Sequence, residues 1–319
     1  MKKRVDLKQI TLLSNYSCTN KCRMCCYHCK PQSTGYMALG FAKKIISDIK
    51  PYDVKYVSIL GGEPFLNLRV LLKIIREVKK NHKAAMVFTN GFWAGDLIKT
   101  KNIIKKLEAV GLDELRVSAD GFHQEFVPFN NIVNILKTIK GVKLRLIIEN
   151  TYLLNPGYKY LNLNKKQMKT INSFINSGPT RDIGRASDSL DDLLKSKKKK
   201  NKCNLVDWYG KLNLLTAVNI DYLGLVTVCD GICIGNMNNS SLTDILDAYE
   251  TNPHLIIDTL LAKGPLGLYR LAVKYGYQGG MEKAKSDCNL CYKSRQFLVQ
   301  KFSNLLAPIN CYRENYEIN

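Results

Sequence analysis

The chain has 319 residues, and 48 lysine and arginine residues against 27 acidic ones give a formal net charge of +21. A composition of 45% hydrophobic and 24% charged residues is that of a folded globular protein, which excludes a disordered or fibrous chain. The sequence has no apolar run of the roughly 20 residues that a membrane-spanning helix needs, and no apolar stretch of a secretory signal follows its basic start. We therefore expect a cytoplasmic protein with no membrane partner.

Strand-like apolar runs alternate with amphipathic helical stretches between Gln9 and Glu149, a pattern typical of parallel βα units. Apolar residues recur at helical spacing from Leu68 to Val78 and from Ile103 to Leu107, and a further helix is predicted over 165–175. Five or six such units predict an α/β fold with a partial (β/α)6 barrel of the TIM type. The predicted strands cover residues 10–13, 56–60, 85–89, 115–118 and 144–148.

The composition changes near residue 190, where the lysine-rich segment 195–202 has no apolar periodicity and indicates an exposed connection. A hairpin is predicted over 212–228, followed by helices over 241–275 that are broken at Gly264-Pro265. These features predict a barrel over 1–190, a basic linker over 191–202, and a smaller α+β domain over 203–319.

Eleven cysteines in a cytoplasmic chain indicate metal binding rather than disulfides, because cytosolic thiols are kept reduced. Cys18, Cys22 and Cys25 form a Cys-x3-Cys-x2-Cys triplet just after the first predicted strand. Three thiolates can hold three irons of a 4Fe-4S cluster and leave the fourth iron open to another ligand. Zinc prefers four nitrogen or sulfur ligands, and nearby cysteine or histidine side chains could complete such a site, so the spacing alone leaves zinc open.

This triplet resembles the signature of the radical SAM superfamily, which lies in the loop after the first strand of a partial barrel. The resemblance is reinforced after the second strand, where Gly61, Gly62, Glu63 and Pro64 resemble the family's glycine-rich motif for S-adenosylmethionine. It implies a 4Fe-4S cluster whose open iron binds S-adenosylmethionine, and an external one-electron reductant that drives cleavage to a 5′-deoxyadenosyl radical. That radical abstracts a hydrogen atom from the substrate.

Later strand ends carry further candidate residues for S-adenosylmethionine. By resemblance, Asn90, Ser118 and Asp120 lie near its methionyl or ribose groups, and Arg185 contacts its carboxylate. Asn90-Gly91 and Asp120-Gly121 are alternatively simple turns, a role these dipeptides often have, and Arg185 is alternatively an ordinary surface arginine. His123 is expected to be an exposed loop residue, or alternatively to face the substrate from the loop after the fourth strand.

A second group of cysteines follows the predicted barrel, as do the auxiliary-cluster ligands of the SPASM and twitch subfamilies. Four thiolates suffice for one further iron-sulfur cluster, expected to be 4Fe-4S, and a structural zinc is the alternative. Cys26, Cys29, Cys233 and Cys311 are left, and a free cysteine is commonly a small buried hydrophobe. Cys233 or Cys311 could instead donate a hydrogen atom to a substrate radical, with Asp230 as a local base or a turn cap. The expected auxiliary ligands are Cys203, Cys229, Cys288 and Cys291.

The resemblance implies a ribosomally made precursor peptide as the substrate, because most twitch and SPASM relatives modify peptides. The layout is most similar to the peptide-epimerase branch, which predicts L-to-D epimerisation, with thioether or carbon-carbon crosslinking as an alternative. The basic charge favours an acidic partner and also suits RNA, so a tRNA-modifying radical SAM enzyme is a different-class alternative. A non-catalytic zinc-binding adaptor is the third reading. Residues 197–200 are expected to be a solvated linker, or else a contact for an acidic peptide or nucleic acid.

Overall fold

A single sheet organises the protein, which we describe from a computed structural model over residues 4–153, 163–194, 196–197, 199–203 and 210–313. Six parallel strands follow the chain order from β1 to β6, and three C-terminal strands extend the sheet beyond β1, giving the order β10-β9-β8-β1-β2-β3-β4-β5-β6. A short strand, β7, pairs with β8. Over these described residues the sheet does not close on itself, which confirms the predicted α/β fold with a partial barrel. The strands are β1 (Val5–Leu13), β2 (Tyr56–Leu60), β3 (Ala84–Thr89), β4 (Glu114–Ser118), β5 (Arg145–Tyr152), β6 (Ile175–Pro179), β7 (Gly210–Lys211), β8 (Leu214–Asp221), β9 (Leu225–Cys229) and β10 (Ile232–Asn236).

Helices connect the parallel strands and cover the sheet. Helix α2 illustrates why they form, since Leu71, Ile74, Ile75 and Val78 recur at helical spacing and are all fully buried. The Asn67 side chain accepts from the Val70 amide and so caps the first turn. The helices are α1 (Leu39–Asp48), α2 (Leu68–Lys80), α3 (Leu97–Ala109), α4 (Gly121–Gln124), α5 (Phe129–Thr138), α6 (Lys165–Ile171), α7 (Ala186–Ser189), α8 (Leu242–Thr251), α9 (Leu255–Lys274) and α10 (Asp287–Leu298).

The first five predicted strands are confirmed, but the predicted helix over 165–175 is too long. Helix α6 ends at Ile171, and the next residues turn so that the Phe174 carbonyl accepts from the Ile148 amide. That bond starts the pairing of β6 with β5, so Ile175 is the first residue of a sixth strand. Pairing with β5 satisfies the backbone N–H and C=O groups along the open edge of that strand. One more turn of α6 would leave those groups without strand partners.

The C-terminal strands join the barrel sheet rather than forming a separate one. Strand β8 pairs in parallel with β1 over most of its length, and β9 returns antiparallel to β8 as the predicted hairpin. The sheet therefore runs across the predicted boundaries at residues 190 and 202, and the division into domains stays a prediction. Within the described residues, no helix combines the length and apolar character needed to cross a membrane.

Candidate active site

The loop that follows β1 carries the cysteine triplet at the carboxyl edge of the parallel strands. Cys18 and Cys22 are buried and Cys25 is half-buried. The Cys18 amide donates to the Lys30 carbonyl at 3.1 Å, and the Cys25 amide donates to the Cys22 carbonyl at 3.2 Å. Backbone bonds thus fold the loop that carries the three thiols back on itself.

Amide groups and a neighbouring thiol surround these sulfurs. The Cys18 Sγ accepts from the Asn20 amide at 3.4 Å and from the Asn90 Nδ2 at 3.6 Å, and Cys18 interacts electrostatically with Cys22 and Cys25. A hydrogen bond from Cys29 lowers the pKa of Cys25 against the opposing effect of burial. Buried thiols that receive N–H donors suit a 4Fe-4S cluster, whose sulfurs accept such bonds. Within the described residues, the side chains do not form a preassembled group of three or more metal ligands.

The glycine-rich motif packs against the start of the cysteine loop. A Cβ on Gly62 would lie 2.0 Å from the Ser17 carbonyl oxygen, and one on Gly61 would lie 2.7 Å from the Asn15 carbonyl oxygen. Only glycine allows this approach. Asn15 completes the contact, because its Oδ1 accepts from the amides of Gly62 and Glu63 at 3.0 and 3.2 Å.

Glu63 is fully buried and its carboxylate binds groups from three places. It accepts from the Phe65 amide at 3.0 Å, the Thr89 hydroxyl at 2.9 Å and the Asn90 amide at 2.8 Å. Burial raises the pKa of Glu63 to about 7, although the three hydrogen bonds favour the carboxylate. The first contact caps the 3₁₀ turn Pro64–Asn67, whose first residue is the Pro64 of the motif.

Asn90 connects the motif to the cysteine loop. Its amide donates to Glu63, and its Nδ2 reaches both the Cys18 Sγ and the Thr19 hydroxyl, the latter at 2.9 Å. Asn90 is therefore more than a turn residue. Sequence reasoning placed it near the methionyl or ribose groups of S-adenosylmethionine, and that role stays a prediction.

The end of β4 brings Ser118 and Asp120 to the same edge. Ser118 is the last residue of β4, opposite Glu149. Asp120 is buried and accepts from the His123 Nδ1 at 2.9 Å and the Thr151 amide at 3.3 Å. Burial opposes protonation of His123, but Asp120 and Cys22 outweigh it and raise the pKa of His123 well above its ordinary value. His123 is thus held beside the cysteine loop, and the expectation of an exposed loop residue is wrong.

Arg185 is buried and clamps the cysteine loop. Its Nη1 donates to the Cys22 carbonyl at 2.6 Å and its Nη2 to the Cys29 carbonyl at 3.0 Å. Its own amide donates to the Cys25 carbonyl at 2.9 Å. Arg185 is therefore no ordinary surface arginine, and the predicted contact with the S-adenosylmethionine carboxylate stays a prediction.

Two of the four predicted auxiliary ligands each interact with a third. Cys229 and Cys288 both interact electrostatically with Cys291, and buried Arg295 lies against Cys229 and Cys291. The fourth, Cys203, interacts electrostatically with Tyr249 on α8. The auxiliary ligand set stays a prediction.

Two further thiols, which sequence reasoning did not place here, belong to the same neighbourhood. Cys311 interacts electrostatically with Cys26 and Cys229 as well as with Asp230. The Asp230 carboxylate accepts from the Tyr27 hydroxyl and from the Arg181 Nη1, both at 2.6 Å. Asp230 is thus held by two side chains from different parts of the chain.

Cys233 lies elsewhere, on β10, where it is buried and its thiol donates to the Gly235 carbonyl at 3.3 Å. Burial raises the pKa of Cys233 to about 11, which favours the thiol over the thiolate. The structure therefore places Cys311 and Asp230 together and Cys233 on the adjoining strand. Their predicted catalytic roles stay predictions.

Sequence reasoning missed several residues that support the site. The Tyr16 hydroxyl donates to Asp221 at 2.8 Å, and Tyr16 stacks on Tyr27 with ring centroids 5.9 Å apart. Asn15 was missed as well, and its one sequence signal is that it is a polar residue two positions after the end of a buried strand. The pairing of Tyr16 with Asp221 joins residues 205 positions apart and has no local signal.

Comparison with known proteins agrees with this geometry. Residues 10–125 match a family described as a 4Fe-4S single cluster domain. This match spans the cysteine triplet and the glycine-rich motif, and it agrees with the predicted 4Fe-4S cluster and with the resemblance to radical SAM proteins. The chain is also 26% identical over 131 residues to YydG of Bacillus subtilis (strain 168), a protein named for peptide biosynthesis. That match covers 41% of this chain and 41% of YydG, so the chain is aligned to less than half the length of this curated relative.

Solved structures share the fold over most of the chain. Native anSMEcpe with bound AdoMet is similar with a TM-score of 0.54 at 15% identity, over 93% of this chain and 97% of that one. Native anSMEcpe with bound AdoMet and the Cp18Cys peptide gives a TM-score of 0.53 at 15% identity, over 93% and 96%. At this identity the likeness concerns the fold.

Proposed function

We propose that the chain is a radical SAM enzyme that modifies a ribosomally made precursor peptide. The observation that carries the proposal is the contact between the two motifs. Asn90 donates through its amide to Glu63 of the glycine-rich motif and through its side chain to Cys18 of the triplet. A ligand bound beside Asn90 would therefore lie next to both the cysteine triplet and the glycine-rich motif.

The residues of the chain have distinct tasks in this proposal. Cys18, Cys22 and Cys25 hold a 4Fe-4S cluster, and Gly61, Gly62, Glu63 and Pro64 line the site of S-adenosylmethionine. A cluster held by these cysteines would supply the electron, drawn from an external one-electron reductant, for cleavage of S-adenosylmethionine into methionine and a 5′-deoxyadenosyl radical. Asn90, Ser118, Asp120 and Arg185 orient the ligand at the strand ends. Asn90 and Arg185 also fix the loop that carries the cluster, through the Cys18 sulfur and the carbonyls of Cys22 and Cys29.

A second site is proposed around Cys229, Cys288 and Cys291, with Cys203 as the fourth ligand of an auxiliary cluster. The support is that the first three thiols interact and that the buried guanidinium of Arg295 offsets their negative charge. Iron and zinc analysis separates this proposal from a structural zinc. If the auxiliary site is a cluster, the iron content corresponds to two clusters and zinc is absent.

For the reaction on the peptide, we propose L-to-D epimerisation. The radical takes the α-hydrogen of one residue, and a thiol on the opposite face returns a hydrogen atom, so an S–H bond breaks as a C–H bond forms. Cys311 and Cys233 are the candidate donors, with Asp230 as a base beside Cys311. The thiyl radical left behind regains one electron and one proton from the external reductant and solvent.

The radical chemistry is tested by anaerobic reconstitution, metal analysis and detection of 5′-deoxyadenosine under reduction. The triple variant Cys18→Ala/Cys22→Ala/Cys25→Ala is expected to lose one cluster and all cleavage. The matched variant Cys229→Ala/Cys288→Ala/Cys291→Ala is expected to lose the other cluster and still form 5′-deoxyadenosine. A colourless protein that contains zinc and no iron refutes the proposal.

The reaction on the peptide is tested with the product of a small open reading frame beside the gene, in deuterated solvent. Epimerisation adds one deuterium per modified residue, whereas crosslinking removes two hydrogens and adds no deuterium. Cys233→Ser and Cys311→Ser are compared under the same conditions. The donor variant is expected to form 5′-deoxyadenosine without the D-residue. Modified nucleosides in tRNA, with no change in the peptide, would refute the peptide substrate.

A further inference from the structure

A groove with a volume of about 820 Å³ runs along α9, and none of its lining residues belongs to the cysteine loop. Its walls carry the exposed basic side chains of Lys263, Arg270 and Lys274. Gly267 lies between them, buried and without a side chain, which deepens the middle of the groove. The groove is thus open to solvent and bordered by positive charge.

A break in α9 shapes the groove and brings the lysine-rich segment to it. Gly264 has a φ of 64°, and the Asn201 side chain enters the break, where it donates to the Lys263 carbonyl at 3.1 Å and accepts from the Leu266 amide at 2.8 Å. A Cβ on Gly264 would lie 2.2 Å from the Asn201 carbonyl oxygen, so this contact requires glycine. The predicted break at Gly264-Pro265 is confirmed, and it is the attachment point of residues 199–203.

The lysine-rich segment is therefore fixed in place over its described residues. The Lys199 ammonium donates to the carbonyls of Met281 and Ala284, and Asp287 accepts from the amides of Lys200 and Asn201. Lys198 lies outside the described residues. The exposed side chains of Lys200 and Lys202 flank the Asn201 contact and so add positive charge beside Lys263.

The occupant of this groove must match both its charge and its apolar surface. Leu255, Leu271 and Leu305 line it together with the basic residues. Its one acid, Asp258, accepts from the His254 amide at 2.6 Å, so the balance of the walls is positive. An acidic, amphipathic segment fits this combination, because its carboxylates meet the walls while its apolar side chains cover the leucines.

Nucleic acid fits the groove less well. Single-stranded RNA is bound by aromatic side chains that stack on its bases, and none of the described residues lining the groove is aromatic. A phosphate backbone also gains nothing from the leucines. The leucines that line the groove therefore favour a peptide over nucleic acid.

One wall of the groove is hydrogen-bonded to the sheet. The Cys233 amide on β10 donates to the Leu305 carbonyl at 3.0 Å, and the His254 Nε2 donates to the Cys233 carbonyl at 2.8 Å. Strand β10 leads through β9 and β8 to β1, which ends at the cysteine loop. A peptide held in the groove would be tethered to the molecule that modifies it, which raises the effective concentration of its reacting segment.

We propose that this groove binds an acidic amphipathic segment of the precursor peptide, separate from the residue that reacts. The inference rests on the proposed peptide substrate. It assigns recognition to the basic side chains of Lys263, Arg270 and Lys274 and to the leucines that line the groove. The neighbouring Lys200 and Lys202 add to the positive charge.

The test measures fluorescence anisotropy of a labelled helical peptide with glutamate on one face and leucine on the other, using the reconstituted protein. Arg270→Glu/Lys274→Glu is expected to weaken binding at least tenfold, and Leu255→Asp to weaken it severalfold. The matched control Lys101→Glu/Lys105→Glu reverses two exposed charges on α3 and is expected to change binding less than twofold.

Three outcomes overturn the inference: equal loss in the groove and control variants, unchanged binding in the groove variants, or tighter binding of an oligouridylate that depends on the same residues. Formation of 5′-deoxyadenosine is measured on every variant without peptide. The groove variants are expected to retain it, because none of their substitutions touches the cysteine loop. If all proteins, wild type included, fail to form it, the proposed function fails, whatever the anisotropy shows.

Discussion

The clamp of Arg185 on the cysteine loop makes a quantitative prediction. Its guanidinium bonds two backbone carbonyls, of Cys22 and Cys29, at 2.6 and 3.0 Å from a buried position. A hydrogen bond to a charged group contributes about 1.5–3 kcal/mol, and a carbonyl left buried without a donor adds to the loss. Arg185→Met keeps much of the apolar stem and removes both bonds. We expect the free energy of unfolding to fall by about 3–5 kcal/mol.

The same substitution is expected to reduce iron loading, because the loop that presents Cys22 and Cys25 loses its clamp. Arg185→Lys should be intermediate, since an ammonium is a single point charge and cannot span both carbonyls as a guanidinium does. Chemical unfolding followed by circular dichroism and iron analysis would be run on the same anaerobic preparations.

The matched control is Arg145→Met, because the Arg145 side chain is 71% exposed and forms an ion pair with Glu114 at 3.3 Å. Its Glu114 partner is buried but keeps a second ion pair with Arg116, so the loss of the exposed Arg145 end should cost less than about 1 kcal/mol. If Arg185→Met unfolds with the wild-type free energy and binds the wild-type amount of iron, the loop does not depend on the clamp and the reasoning is refuted.

Three further predictions follow from single contacts. Gly62→Ala should impair iron loading, because the added Cβ would lie 2.0 Å from the Ser17 carbonyl oxygen. The control Gly178→Ala should load iron normally, because a Cβ there has no neighbour within 4 Å. Equal iron loading in the two variants would contradict this prediction. Burial raises the pKa of Asp221 from 3.8 to about 6, so the folded state retains this proton to higher pH and stability falls as pH rises from about 4 to 6. Unfolding across that range should show a fall smaller by up to about 3 kcal/mol in Asp221→Asn, and an unchanged pH slope would count against the assignment. Asn201→Ala should speed hydrogen exchange at the Leu266 amide, which loses its 2.8 Å acceptor, while exchange at the Val70 amide stays unchanged; unaltered exchange at Leu266 would contradict the contact.

The order of the βα units could be predicted because each unit has its own local sequence pattern. Apolar periods give β1 to β5 and the helices between them, and glycine and proline give the break in α9. Strand β6 was missed because its sequence, Ile-Asn-Ser-Gly-Pro, has no apolar alternation and its strand character comes from pairing with β5. Tertiary pairing overrides weak local preference in strands more readily than in helices.

In the candidate site too, the local features were predictable and the long-range contacts were not. The triplet and the glycine-rich motif are local spacings and were found from the sequence, together with the polar residues at the strand ends. The contacts that hold them were not, because Arg185 reaches Cys22 across 163 positions and Tyr27 reaches Asp230 across 203. Periodicity and spacing say nothing about such contacts, which depend on how β8 and the segment after β6 close against the loop.

The parallel pairing of β8 with β1 links the two groups of cysteines. Because β8 lies beside β1, its last residue, Asp221, meets Tyr16 at the start of the cysteine loop, and the next strand ends at Cys229 and Asp230. Tyr27 lies in the loop itself and donates to Asp230, so the triplet and the later cysteines share one wall. A substitution at Tyr27 or Asp230, which join the two groups, should therefore affect both sites, whereas replacing the cysteines of one group should empty that site alone.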